Sequence, residues 1–219
     1  MAEMHDTTEE YLEQIYDLEE EGVVPMRARI VERLGLSPAA VSETVGRLED
    51  HGFVHLRDDR SIELTEKGRS LATSVVRRHR LAERLLLDVI GLEWEKVHKE
   101  ADRWEHAISA DVEEKLVELL GDPQTCPHGN PIPGARRRGA TKPSIPLADS
   151  EPGAVTVARI SEKLELSDSG LALVAEARLI PGAQATVLDA EPGGTRVRTS
   201  AGERLVPTEV AQQLYVSVE

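Results

Sequence analysis

The spacing of the apolar residues differs between the two ends of this chain, and that difference limits the fold more than any other feature. Up to Gly121 they recur at helical intervals except for a short stretch at Phe53–Leu64, whereas from Val155 onward they fall in short alternating runs. Between lies Cys126-Pro-His-Gly-Asn-Pro-Ile-Pro-Gly134, too rich in proline for a helix. It is followed by a stretch to Gly153 that holds Arg136-Arg137-Arg138 and Glu151-Pro152-Gly153 and reads as a flexible linker. A mainly α chain with a small β module at its end is therefore expected.

The helical part opens on an amphipathic helix from Thr7 to Glu21, with Leu12, Ile15, Tyr16 and Leu18 as its apolar positions. Thr7 and Glu10 have capping-box spacing, which gives Glu10 an ordinary structural role. A second helix, Arg27 to Leu34, precedes the turn Gly35-Leu36. Ser37-Pro38 then supplies an N-cap and a proline at the first helical position of a third helix, which Gly52 stops. Phe53–Leu56 and Ile62–Leu64 read as strands around a polar turn, so the set is a winged helix-turn-helix. Ser37, Ala39, Ala40, Ser42 and Thr44 are small and expected to be exposed at the start of the third helix, where a recognition helix approaches base edges. Arg27, beside Ala28, together with Arg47 and Arg60 flanks it and is placed to meet phosphates.

A long helix from Thr65, its expected cap, to Ile90 carries Leu71, Val75, Leu85, Leu86 and Val89, more apolar positions than one face of a monomer needs. A dimer interface is expected there. His79 and Glu83 are i, i+4 on it, which singly is an ordinary helix-face pair. The next helix, beginning near Glu93, places His98, Asp102, Glu105 and His106 at i, i+4, i+7 and i+8. That is one stripe of two imidazoles and two carboxylates, and a divalent cation would neutralise it. Cys126 and His128 read better as loop residues than as ligands. A further helix spans Asp111 to Leu120, and Asp168 to Ala177 looks like a short one. This last helix lies between the first two of the strands read at Val155–Ile160, Ala185–Asp189, Thr195–Thr199 and Leu214–Val218, a spacing that suits a small five-stranded barrel.

Composition narrows the function classes. A net charge of −14 argues against indiscriminate nucleic-acid binding but leaves room for a local DNA-reading surface. The single cysteine rules out an internal disulfide and fits a reducing cytoplasm, and the acidic N-terminus does not read as a secretory signal. No apolar run approaches the roughly 18 residues of a membrane span. A di-metal enzyme of the ferritin-like kind needs Glu-x-x-His on two helices; here Glu105 and His106 are adjacent and no second such helix occurs. The aromatic-poor strands likewise speak against a proline-peptide adaptor.

Thr-Thr-Glu-Glu-Tyr-Leu-Glu-Gln-Ile-Tyr-Asp-Leu from Thr7, Leu-Thr-Glu-Lys-Gly-Arg from Leu64 and Arg-Arg-His-Arg-Leu-Ala-Glu-Arg-Leu-Leu from Arg77 are distinctive stretches. With Trp104-Glu-His and Gly129-Asn-Pro-Ile-Pro-Gly they resemble the diphtheria-toxin-repressor family of metal-dependent transcriptional regulators. The resemblance implies a winged helix-turn-helix domain over 1–73, a helical metal-binding and dimerisation domain over 74–134, the linker over 135–153 and an SH3-like β-barrel over 154–219. It implies a non-enzymatic repressor that binds a palindromic double-stranded operator as a homodimer, with no membrane and no small organic substrate. Iron sensors of the family place Met and Cys where this chain has Glu10 and Asp102. The manganese-sensing set is matched by Glu10, Glu13, His79, Asp102, Glu105 and His106, and the ancillary set by His79, Glu83, His98, Glu162 and Glu165. Two Mn(II) per subunit are implied, with an Fe(II)-dependent repressor as the alternative. On the recognition helix, Ser37, Ala39, Ser42 and Glu43 align with groove-facing positions; a glutamate there selects cytosine N4 as its partner.

Overall fold

The computed structural model describes residues 2–136 and 143–218, with side chains from Thr7 onward. The chain divides into two compact units, residues 1–79 with 105–108, and residues 80–104 with 109–219.

The first unit is built from α1 (Ala2–Glu20), α2 (Arg27–Leu34), α3 (Pro38–Asp50), the antiparallel pair β1 (Val54–Leu56) and β2 (Ile62–Leu64), and α4 (Glu66–Arg84) as far as His79. Tyr11, Leu12, Ile15 and Leu18 of α1 meet Ile30 of α2, Val41, Val45 and Leu48 of α3, and Val54, Ile62 and Leu64 of the wing in one core. Each such buried side chain contributes about 1.5–3 kcal/mol. Gly35, at φ 65°, closes α2 in the left-handed region. Ser37 then caps α3, its Oγ accepting from Ala40 N at 3.2 Å ahead of Pro38 at the first turn. Thr65 does the same for α4, accepting from Gly68 N at 3.0 Å and donating to Gly52 O at 2.8 Å. The expected capping box at Thr7 is absent. α1 already runs from Ala2, so Thr7 lies inside it.

In the second unit, α4 ends in a wide π turn, Leu85–Ile90, that Gly91 closes at φ 79°. A 3-10 turn at Trp94–Lys96 leads into α5 (Val97–Trp104), and Ser109 caps α6 (Ala110–Leu120). Of the apolar residues expected at an interface, Val75 and Leu86 are buried within the fold, whereas Val89 is exposed together with Ile90. The C-terminal region comprises β3 (Ile145–Pro146), β4 (Gly153–Ile160), α7 (Glu162–Glu165), α8 (Asp168–Glu176), β5 (Gln184–Glu191), β6 (Gly194–Thr199), β7 (Gly202–Pro207), α9 (Thr208–Ala211) and β8 (Leu214–Val218). Its strands form an antiparallel sheet in the order β3-β8-β4-β5-β6-β7 around Val155, Val157, Leu171, Val187, Val197 and Val216. This arrangement is consistent with an SH3-like domain.

Three further expectations need correction. Six strands replace five and, among the described residues, the ladder has two ends and is not a closed barrel. β3, which pairs with β8, and the fully buried Leu147, which packs into the core of this domain, both lie inside the expected linker; residues 137–142 of that linker lie outside the described residues. Finally, α5 stops at Trp104, so Glu105 and His106 sit in a turn and the four-residue stripe is not on one helix.

Candidate metal centres and DNA-reading surface

In the first unit, α1 contributes Glu13, α4 contributes His79 and the turn after α5 contributes Glu105. One donor atom from each lies within 4.8 Å of the others. All three are buried, at 9%, 3% and 2% exposure. His79 Nδ1 is 2.5 Å from Glu105 Oε2. Burial, and then repulsion from Glu105, pushes the Glu13 carboxyl well above the usual carboxylate range, and Asp17 one turn on adds to it. Two carboxylates and one imidazole in low dielectric are costly without a cation, so this set fits a divalent metal.

His106 stands beside this group, its Nε2 3.4 Å from Glu105 Oε1. Its other nitrogen, Nδ1, is 2.7 Å from Glu9 Oε2, and Glu9 Oε1 accepts from Arg78 at 3.0 Å. Arg78 also donates to the Ile108 carbonyl at 3.2 Å, which holds the turn against α4. An anchored carboxylate on one nitrogen is the kind of partner that orients an imidazole for ligation through the other, so His106 would be suited to offer Nε2 to an ion. Sequence reasoning passed over Glu9, although it lies three residues before Leu12 on the inward face. Its neighbour Glu10 is exposed and is not among the converging donors. Asp102, in the second unit, is exposed on α5 with its Oδ1 3.8 Å from His98 Nε2.

The second unit holds a denser cluster. His98 Nδ1 lies 3.1 Å from Glu165 Oε2, 3.5 Å from Glu83 Oε1 and 3.7 Å from Glu162 Oε2. Glu162 and Glu165 come from α7, the single turn that Ser161 caps between β4 and α8. Arg80 donates to Glu162 at 3.0 Å, and Asn130 Nδ2 donates to Glu165 at 2.8 Å. The loop set aside as structural enters here, because His128 Nδ1 is 2.9 Å from Glu83 Oε1 and 2.7 Å from Glu165 Oε2. Burial alone would lower both imidazoles. The carboxylates outweigh it, raising His128 to about 10 through Glu165 and Glu83, and His98 well above its ordinary value through its bonds to the same pair. Burial, then Glu83, pushes the neighbouring Cys126 thiol up. Buried carboxylates holding imidazole protons are the sites that a divalent ion fits by displacing those protons.

On the reading surface, Ser37, Pro38, Ala39, Ala40, Ser42, Glu43 and Arg47 of α3 are exposed, as are Ala28 and Arg60; Arg27 is half-buried. Met26, Arg27, Ala28 and Arg60 line one recess at the base of the wing. Arg47 is 3.7 Å from Glu43 and donates to Thr44 at 3.0 Å. Thr44 corrects an expectation: it is buried at 8% exposure, since it follows Val41 by three residues on the apolar stripe.

Residues 3–62 match the family described as iron dependent repressor, N-terminal DNA binding domain, and residues 65–134 match iron dependent repressor, metal binding and dimerisation domain. The chain is 46% identical over 227 residues to the iron-dependent repressor IdeR of Mycobacterium tuberculosis (strain ATCC 25618 / H37Rv), covering 99% of each. It is 46% identical over 197 residues to the diphtheria toxin repressor of Corynebacterium diphtheriae, covering 86% of this chain and 87% of that protein. A solved manganese-dependent transcriptional repressor in complex with manganese superimposes with a TM-score of 0.84 at 32% identity, over 97% of this chain and 100% of the other.

Proposed function

Because the chain belongs to the iron-dependent repressor family, whose members are transcriptional repressors and not enzymes, we propose that it is a manganese(II)-activated repressor of manganese-uptake genes. In this reading it acts in the cytoplasm as a homodimer on a palindromic operator. The observation that carries the choice of manganese is the donor set of the first unit: Glu13, His79 and Glu105 offer oxygen and nitrogen and no sulfur. Oxygen-rich sites suit manganese, whereas thiolate and thioether donors favour softer ions. Glu10 and Asp102 remain proposed ligands, standing where an iron sensor carries sulfur. Glu83, His98, Glu162 and Glu165 hold a second ion.

The bound ion supplies positive charge; the protein supplies the coupling. Glu13 and His79 sit on different helices, so tying them together fixes α1 against α4 within the first unit. α1 shares its core with α3, which fixes the reading helix in turn. Moving such an element from mostly inactive to mostly active needs about 10⁴-fold preference of the metal for the active form. Donors that converge only in one arrangement provide a preference of this kind.

A second reading, an iron(II)-dependent repressor, is favoured by the full-length similarity to IdeR. Operator binding followed by fluorescence anisotropy, titrated with Mn(II) and with anaerobic Fe(II), separates the two. Activation by Mn(II) at lower free concentration supports the proposal, and equal activation removes the manganese claim. A Glu10→Met, Asp102→Cys double variant is expected to shift preference towards Fe(II).

A further inference from the structure

The loop from Cys126 to Asn130 is over-determined for a mere connection. Cys126 N donates to Asn130 O at 2.8 Å and Gly129 N to Cys126 O at 3.0 Å, closing it on itself. Ile160 N donates to His128 O at 3.0 Å, and Trp94 Nε1 to Pro127 O at 3.1 Å. Gly129, at φ 89°, lies so close to β4 that a Cβ would stand 2.2 Å from Ala158 O, so no other residue fits. These contacts hold the His128 and Cys126 side chains, at 0% and 1% exposure, in fixed positions.

Those positions face the second unit's carboxylates. His128 Nδ1 and His98 Nδ1 address the same two oxygens, Glu83 Oε1 and Glu165 Oε2, at 2.7–3.5 Å. Donors that share one ion at about 2.1 Å lie roughly 3.0–3.5 Å apart at neighbouring vertices. The His98 distances of 3.1 and 3.5 Å match that spacing. The hydrogen-bonded His128 distances of 2.9 and 2.7 Å need to open by only a few tenths of an ångström once an ion replaces the proton. Donor atoms of Glu83, Cys126 and His128 also lie within 4.8 Å of one another. His128 Nε2 is buried with no hydrogen-bond partner among the described residues. Nδ1, aimed at both carboxylates, is therefore the nitrogen through which His128 can act.

We propose that His128 and Cys126 are ligands of the second unit's metal site, making it a mixed nitrogen, oxygen and sulfur centre for a borderline-soft divalent ion such as Zn(II) or Co(II). This rests on the reading of Glu83, His98, Glu162 and Glu165 as a metal site. The thiol loses its proton to solvent as the metal–sulfur bond forms. A thiolate and two imidazoles favour a softer ion than the carboxylate-rich group of Glu13, His79 and Glu105 does, so the two sites would differ in metal preference.

The test is anaerobic Co(II) titration of the metal-stripped full-length protein, followed by absorption and by equilibrium dialysis. A near-ultraviolet thiolate-to-cobalt band saturating at one equivalent is expected. It should be lost in Cys126→Ser and kept in Glu105→Gln. His128→Phe should weaken that equivalent by about tenfold or more, the scale seen even for residues behind the ligands. Circular dichroism, and retention of the other equivalent, establish that the variants fold. The proposal is overturned if Cys126→Ser and His128→Phe titrate as the parent does while Glu165→Gln has lost one equivalent, since a metal site then exists without them. If Glu165→Gln also keeps both equivalents, the reading of the site itself is wrong and the proposal goes with it.

Discussion

Glu9 and Glu10 are adjacent and chemically identical, yet one is buried against His106 and Arg78 and the other faces solvent. Their phase on α1 decides this. Replacing Glu9 by Gln removes the charge that anchors the Nδ1 side of His106, and metal-activated operator binding should then need about 10–100-fold more metal, as for other partners behind a ligand. Unchanged activation would mean that Glu9 only neutralises Arg78. His128 gives a second prediction at this scale. Its imidazole binds a proton up to about pH 10 in the folded protein, against an ordinary value of 6.5. The stability it contributes is fully present below pH 6.5 and lost as pH rises through about 10. In metal-stripped protein, urea midpoints should therefore fall across that window, and His128→Phe should flatten the fall.

Among the elements, α3 and α4 were legible because their signals are local: Ser37-Pro38 and Thr65 cap them, and Gly35 and Gly52 stand just after α2 and α3. Ser37→Ala is expected to cost about 0.5–2 kcal/mol, read as a lower urea midpoint. Gly68 carries a larger penalty. A Cβ there would lie 2.0 Å from Phe53 O, so Gly68→Ala must push α4 off the wing and lower the melting temperature more than Ser37→Ala does. Where tertiary contacts decide, the sequence pattern misled. α5 carries a helical stripe past Trp104, but the partners of Glu105 and Ile108 lie on α4, and the chain turns to reach them. β7 escaped notice because its first four residues are all exposed and show no alternation. His128 looked like a loop residue because its partners are distant in sequence, at Glu83 and Glu165.

For the molecule as a whole, net charge −14 leaves DNA binding to a local surface, and we propose that this is the face of the first unit where α2, α3 and the wing carry Arg27, Arg47 and Arg60. The acidic groups that dominate its charge include the proposed metal ligands, so cation binding there would lower the repulsion of DNA. In the proposed function a metal held by Glu13, His79 and Glu105 locks α1 to α4 and so sets the reading helix. The most direct measurement is operator affinity by anisotropy as a function of free Mn(II), for the parent, Glu13→Gln and Glu105→Gln. Both variants are expected to fold and to require at least about tenfold more Mn(II) for the same affinity, or to stay weak throughout. Parent-like activation of both variants by Mn(II) would mean that these residues do not hold the activating ion.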